Sequence, residues 1–246
     1  MKLAILYTIW TGDDMDMLIR SMTQHEPFVD EIFVCYQRIS NRGERGHLTI
    51  YSKSTPRFTA IHFEPDLSVS TKQNERMKHN LMIQTAKCKG FTHFIMAACD
   101  HFYTPEQFQY AKNFHKLSDI DVSLTFMRTY YKQENWYIEP MEGYCMPFIH
   151  KMYPNTEITK RANYPEIVDP SVKVNTSEKI HVFPPDEVLL HHYSMVRKDI
   201  QKKFRNAAAS VRWTEEQIEK FISEYENAKI GDQISYFKNS ILTESK

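Results

Sequence analysis

Two segments carry the side chains best suited to chemistry. In FTHFIMAACDHFYTPEQF, residues 91–108, an apolar run stops and Asp100 and His101 follow, just before a helix begins. A carboxylate at the carboxyl end of a buried strand can hold a divalent cation, which can in turn neutralise a diphosphate. A turn aspartate ahead of a helix satisfies the same pattern. In VLLHHYSMVRKDIQKKFRNAAAS, residues 188–210, a second apolar run ends at His191 and His192, and a basic segment follows. Adjacent strand residues point to opposite faces, so at most one of these imidazoles faces a given ligand. Imidazole suits manganese better than magnesium. Arg197, Lys198, Lys202, Lys203 and Arg205 form a positive patch able to meet phosphate, nucleic acid or an acidic protein face. A solvated helix face has the same charge pattern. A third segment, QNERMKHN (73–80), offers Glu75, Lys78 and Asn80 at a helix start, where they could reach a nucleotide sugar; an ordinary surface helix reads alike.

The elements needed to position these residues follow from periodicity. Residues 2–9, 31–37, 58–63, 91–98 and 121–132 are apolar runs rich in β-formers and are expected to be strands. Met15, Leu18, Ile19 and Met22 recur at helical spacing. Residues 74–90 are expected to form a helix with Met77, Leu81, Ile83 and Ala86 inward, closed by Gly90. Thr104, Pro105 and Gln107 mark another helix start, with Phe108, Ala111 and Phe114 toward the sheet. This alternation predicts an α/β domain with a mostly parallel sheet, in which ligands sit beyond the carboxyl ends of strands. Asp100 and His101 lie at one such end, and Gln37 to Asn41 at another. Prolines at 140, 147, 154, 165, 170, 184 and 185 make 133–187 read as a loop-rich lobe over the sheet. Residues 194–245 read as helical, with Ser194 capping one helix and TEEQ (214–217) boxing another.

Composition removes several function classes. A chain of 246 residues is one large domain or a domain with an appendage, and its zero formal charge provides no global field for nucleic acid or an anionic membrane. None of the six glycines stands in a dinucleotide fingerprint or P-loop arrangement. The apolar start is cut off by Gly12, Asp13 and Asp14, too soon for a membrane span or signal peptide. Cys35, Cys88, Cys99 and Cys145 lack CxxC spacing, which points to reduced thiols in a cytoplasmic protein rather than a structural zinc site.

Taken in order, YQRISNRGE, NERMKHN, THFIMAACDHFYTPEQF, YPEIVDPS and HHYSMVRKDIQKKFRNAAAS resemble the GT-A glycosyltransferases, particularly family-2-like members. The resemblance runs from residue 2 to 212. It implies a half-Rossmann GT-A fold, with a nucleotide-sugar half (1–103), an acceptor-side lobe (104–212) and a helical C-terminal extension (213–246). It also implies a reaction: a sugar passes from a nucleoside diphosphate sugar, most often a UDP-sugar, to an acceptor hydroxyl, while Mn²⁺ or Mg²⁺ stabilises the leaving diphosphate. Carried onto this sequence, Asp100 matches the second aspartate of the family's DxD motif. His192, or its neighbour His191, matches the C-terminal histidine of the metal site. Thr8, Gln37, Ser40 and Asn41 fall where base and ribose are held, Lys78 and Asn80 near the sugar or diphosphate, and Arg197 joins the donor-binding set. Two positions depart from the pattern: the first aspartate is Ala98, and the residue after the second is His101. An inverting member also needs a carboxylate base at the acceptor. Glu142 is the candidate, with Glu139 and Asp169 as competitors. A hydroxymethylated base in phage DNA is one acceptor that suits the basic segment, and such an enzyme works in the host cytoplasm. Glycan, lipid-linked and protein acceptors stay open, as does a nucleotide-sugar-binding protein with weakened catalysis.

Overall fold

The computed structural model describes residues 1–47, 55–159, 162–169, 171–176, 178–206, 213–237 and 240–245. The fold is α/β, with a largely parallel central sheet flanked by helices. Its centre is β1 (Leu3–Trp10), fully apolar from Leu3 to Tyr7 and buried on both faces, as a central parallel strand must be. β2 (Glu31–Gln37) and β4 (His93–Ala98) pair parallel on either side of it, and β3 (Thr59–His62) extends the parallel run beyond β2. The strand ends therefore align, with Thr8 opposite Cys35 and Ala98, and Trp10 opposite Gln37.

α1 (Met15–His25) starts where Asp14 accepts the Met17 N–H, and it buries Met17, Leu18 and Met22 against the sheet. α3 (Pro105–Leu117) starts at Thr104, whose hydroxyl accepts from Gln107 N; Phe108 and Ala111 are buried and Phe114 packs at the rim. Phe108 meets Phe148 edge-on with ring centroids 5.2 Å apart, and Tyr103 stacks on Phe148 at 3.8 Å. Fully burying each such side chain contributes about 1.5–3 kcal/mol.

Helix α2 (Thr71–Cys88) corrects the expected inward face. Met77 and Leu81 are exposed, at 43% and 39%, while Asn74, Lys78 and His79 are buried with Met82, Ile83 and Ala86. The helix rolls because its first turns have polar partners: Asn74 bonds the Asp66 backbone, and Lys78 bonds Gln37 and Glu75.

Residues 133–187 also differ from a lobe laid over the sheet. After β6 (Val122–Tyr131) the chain adds β7 (Trp136–Glu139), β8 (Met146–Lys151) and β9 (Ile180–Phe183). β8 inserts antiparallel between β4 and β6, with Phe148, Ile149 and His150 in the core. The long β6 is the hub: β8 and β9 pair with its first half, and β10 (Leu189–Met195) and β7 with its second.

The C-terminal part is not all helical. Ser194 lies within β10, and α4 (Ile200–Asn206) instead starts where Asp199 accepts the Lys202 N–H. α5 (Glu215–Asn227) has the full capping box of Thr214 and Gln217. Two strands follow, β11 (Gln233–Ile234) and β12 (Ser240–Glu244), and β12 pairs with β7 to extend the sheet. The expected end of the basic helix, 207–212, and the boundary at 212 lie outside the described residues.

Candidate functional site

A cleft of about 480 Å³ opens at the carboxyl ends of β1, β2 and β4. Thr8, Gln37, Ser40, Asn41, Lys78, Asp100 and Arg197 all line it, although they come from segments far apart in sequence. Trp10, Asp13, Lys202 and Lys203 line it as well. Trp10 ends β1 and Asp13 follows it, so the rule that ligands sit at strand ends is the sequence signal that points to both.

One wall is a closed polar ring. Lys78 Nζ donates to Gln37 Oε1 and Glu75 Oε1, each at 2.9 Å; Asn41 Nδ2 donates to Glu75 Oε1 at 2.8 Å; and Gln37 Nε2 reaches Asn41 Oδ1 at 3.4 Å. Burial would raise the Glu75 carboxyl, but Lys78 and His79 outweigh it and hold it below its ordinary value. Ser40 Oγ accepts from the N–H groups of Arg42 and Glu44, which shapes the loop above. That loop touches the turn after β1 so closely that a Cβ on Gly46 would stand 2.3 Å from Gly12 N, so glycine is required there.

The opposite wall centres on Asp100, which is 3% exposed. Its two oxygens have different surroundings. Oδ2 accepts from Arg197 Nη2, with Lys203 Nζ at 3.4 Å. Oδ1 faces His192 Nε2 at 3.9 Å and His101 Nε2 at 4.0 Å. Burial opposes the charge of Asp100, yet Lys203 and Arg197 hold its carboxyl well below the usual range. Arg197 also reaches Asp13 at 3.2 Å, and Lys202 lies over the Trp10 ring at 4.9 Å.

Strand register explains how His192 and His101 meet. β10 runs parallel to β6 with His192 opposite Thr129, and antiparallel to β5 (His101–Phe102) with His192 opposite His101. Directly opposed residues share a face, so Thr129, His192 and His101 form one row across three strands. His191, Arg128 and Phe102 form the row on the other face, where His191 Nδ1 bonds Tyr130 OH at 2.8 Å.

Among the described residues, Asp100, His101 and His192 are the group whose ligand atoms lie close enough, within 4.8 Å, to share a metal ion. The donor set fits a divalent cation. A carboxylate oxygen and an imidazole nitrogen face each other beyond hydrogen-bond range, and the mixed set suits manganese. The cleft's charge points the same way: six carboxylates line it against five cationic side chains, so a diphosphate would meet no net positive field without an added cation.

Two expected site residues lie elsewhere. Asn80 Oδ1 accepts from the Ile158 N–H at 2.7 Å and anchors the 153–159 loop rather than the cleft. Glu142 is not among the residues lining the cleft; it sits behind His192, bonded by the hydroxyls of Thr129 and Tyr144, and burial pushes its carboxyl above the ordinary value. Of the basic residues, Lys198 pairs with Asp16, Lys203 with Asp100, and Arg205 with Glu215 and Glu219. Each of these three thus faces a carboxylate, Lys203 in the cleft wall and Lys198 and Arg205 at the exposed surface. The four cysteines are free. No described helix is long and apolar enough to cross a membrane.

No protein-family model matches the chain, and no curated protein matches it. Among solved structures, the chain is similar to S. aureus TarS 1-349, at 12% identity over 92% of this chain and 71% of that one, with a TM-score of 0.48. It is similar to the same TarS fragment in complex with UDP-GlcNAc at 13% identity, over 92% and 72% of the two chains, with a TM-score of 0.44. Against the inositol-1-phosphate CTP transferase from T. maritima the identity is 9%, over 93% and 97% of the two chains, with a TM-score of 0.36. The chain spans 43% of a longer TarS chain.

Proposed function

We propose that the protein transfers a sugar from a nucleoside diphosphate sugar, with UDP the favoured nucleotide, to an acceptor hydroxyl. One observation carries this reading: Gln37, Ser40, Asn41, Lys78, Asp100 and Arg197 line a single cleft at the carboxyl ends of parallel strands, and His192, which does not itself line the cleft, faces Asp100 Oδ1 at 3.9 Å. These are the residues onto which the GT-A resemblance maps donor and metal binding.

In this reading the polar ring of Gln37, Lys78, Glu75 and Asn41 holds base and ribose, with Trp10 available as a stacking surface. Lys203 and Arg197 lie where the diphosphate would approach Asp100. Asp100 Oδ1 and His192 Nε2 would hold a divalent ion, which when bound supplies Lewis-acid stabilisation of the departing diphosphate. Ala98 offers no second carboxylate, so this chain would supply only Asp100 and His192 as ligands and the donor or solvent would have to complete the set. The side chains then act by fixing the donor's orientation and by excluding water around its phosphates.

The test is a panel of nucleotide sugars offered with Mn²⁺, read by thermal shift and by release of the nucleoside diphosphate. A shift with one nucleotide class, lost on Asp100→Ala, is the expected result. Indifference to every donor, with and without Mn²⁺, would sink the proposal.

A further inference from the structure

The bonds around His192 and His101 assign their tautomers, and the two come out opposite. Thr129 has one hydroxyl proton, and it goes to the Glu142 carboxylate. Thr129 Oγ1 also lies 3.3 Å from His192 Nδ1, so toward that nitrogen it can only accept. His192 therefore carries its proton on Nδ1 and leaves Nε2 as a bare lone pair. His101 is fixed the other way. The Ala98 backbone N–H donates to its Nδ1 at 3.4 Å, so Nδ1 must be the acceptor and the proton sits on Nε2.

Both Nε2 atoms face Asp100 Oδ1, with different consequences. The His101 N–H points its positive end at the carboxylate and steadies it. The His192 lone pair points at a carboxylate oxygen 3.9 Å away, an arrangement that is repulsive unless a cation lies between them. A fold that commits a half-buried carboxylate and a hydroxyl to hold that tautomer is arranged for a cation.

We infer that Glu142 is a positioning residue: through Thr129 it holds His192 in the Nδ1–H tautomer, so that Asp100 and His192 are the protein's metal ligands, while His101 orients Asp100 without ligating. This deepens the proposed function and rests on it for the identity of the metal site. It also gives Glu142 a role behind the metal ligand, in place of the acceptor-side base expected from sequence.

The experiment uses the full chain, free of metal and of nucleotide. Two-bond ¹H–¹⁵N correlation spectra, assigned with His101→Asn and His192→Asn, report which nitrogen of each imidazole carries the proton. The expected wild-type result is Nδ1–H at His192 and Nε2–H at His101. Thr129→Val removes the acceptor and Glu142→Leu frees the Thr129 proton to reach Nδ1, so both should move His192 toward Nε2–H; Thr129→Ser should keep the wild-type form. Mn²⁺ binding, followed by the electron paramagnetic resonance of the free ion, should weaken about 10–100-fold in Thr129→Val and recover in Thr129→Ser. His192 found as Nε2–H in the wild type, or unchanged in both Thr129→Val and Glu142→Leu, overturns the inference. So does Mn²⁺ affinity that Thr129→Val leaves untouched. If His192 is Nδ1–H and responds to the variants while the wild type binds no Mn²⁺, the relay from Glu142 stands and the metal reading of the site falls.

Discussion

Arg197 and Asp100 form a buried ion pair in the wall of the cleft: Nη2 of the guanidinium donates to Oδ2, and only 2% and 4% of the two side chains are exposed. The pair joins the end of β4 to the segment between β10 and α4. Desolvating two charges is costly, so the pair itself adds little net stability, whereas removing one partner strands the other. Arg197→Met should cost about 3–5 kcal/mol, seen as a fall in Tm on the order of 10 °C. Adding Asp100→Asn to that variant should restore part of the loss. A Tm within a degree or two of wild type would mean that Asp100 is not held by this contact.

Buried neutral histidines set the acid limb of stability. Burial lowers the pKa of His25, His115 and His150 from 6.5 to about 3. Over that window the unfolded chain binds protons that the folded chain refuses, so stability is full above about pH 6.5 and declines until about pH 3. Each group contributes at most about 1.4 kcal/mol per pH unit. His150 is the sharpest case: it stacks on Phe94 at 4.7 Å, and neither ring nitrogen has a hydrogen-bond partner among the described residues. His150→Phe should therefore stabilise the fold by about 1–3 kcal/mol and flatten the acid limb, measured by denaturant unfolding across this range. An unfolding midpoint that ignores pH through the upper half of the window would contradict the burial argument.

Ala98 lines the same cleft as Asp100 at the end of the same strand. Ala98→Asp would add a second carboxylate beside a proposed metal position that already has one. Divalent affinity rises with the number of charged ligands, so Mn²⁺ should bind about tenfold more tightly. Unchanged or weaker binding, by titration calorimetry on folded protein, would place the ion elsewhere.

Lys78 is the keystone of the polar ring, with both of its bonds at 2.9 Å. Lys78→Met leaves Glu75 and Gln37 without their shared donor. The expected loss is about 2 kcal/mol of stability, discounted for the partial exposure of Glu75. The thermal shift caused by UDP should vanish as well. A variant that keeps the full UDP response would show that the nucleotide does not use this wall.

The parallel half of the sheet was legible because its strands are continuous apolar runs closed by polar residues: 31–37 matches the observed β2, and the Thr104–Gln107 signal marks the start of α3. The face of α2 was not, because burying Asn74, Lys78 and His79 depends on partners at Asp66, Gln37 and Ser171 that no local pattern reveals. β8 and β9 were hidden for a related reason. Pro147 is the second residue of one and Pro184 follows the other, and their pairing comes from strands elsewhere in the chain, β4 and β6 for β8 and β6 for β9. At the candidate site, Asp100 and the His191–His192 pair could be named from their positions after apolar runs, but not which of the two imidazoles faces Asp100. The ion pairs of Arg197 and Lys203 could not, nor could the place of Glu142 behind Thr129, since each depends on β10 lying between β5 and β6.

That position of β10 also sets an order of events in the cell. Asp100 leaves the ribosome 97 residues ahead of Arg197 and 103 ahead of Lys203. At ordinary elongation speeds the interval is about 5–20 s, during which the parallel strands can associate while Asp100 stays hydrated and the floor of the cleft does not yet exist. Both partners of Asp100, the imidazole facing Oδ1 and the guanidinium bonded to Oδ2, come from β10 and the residues just after it, so neither exists until that stretch is made.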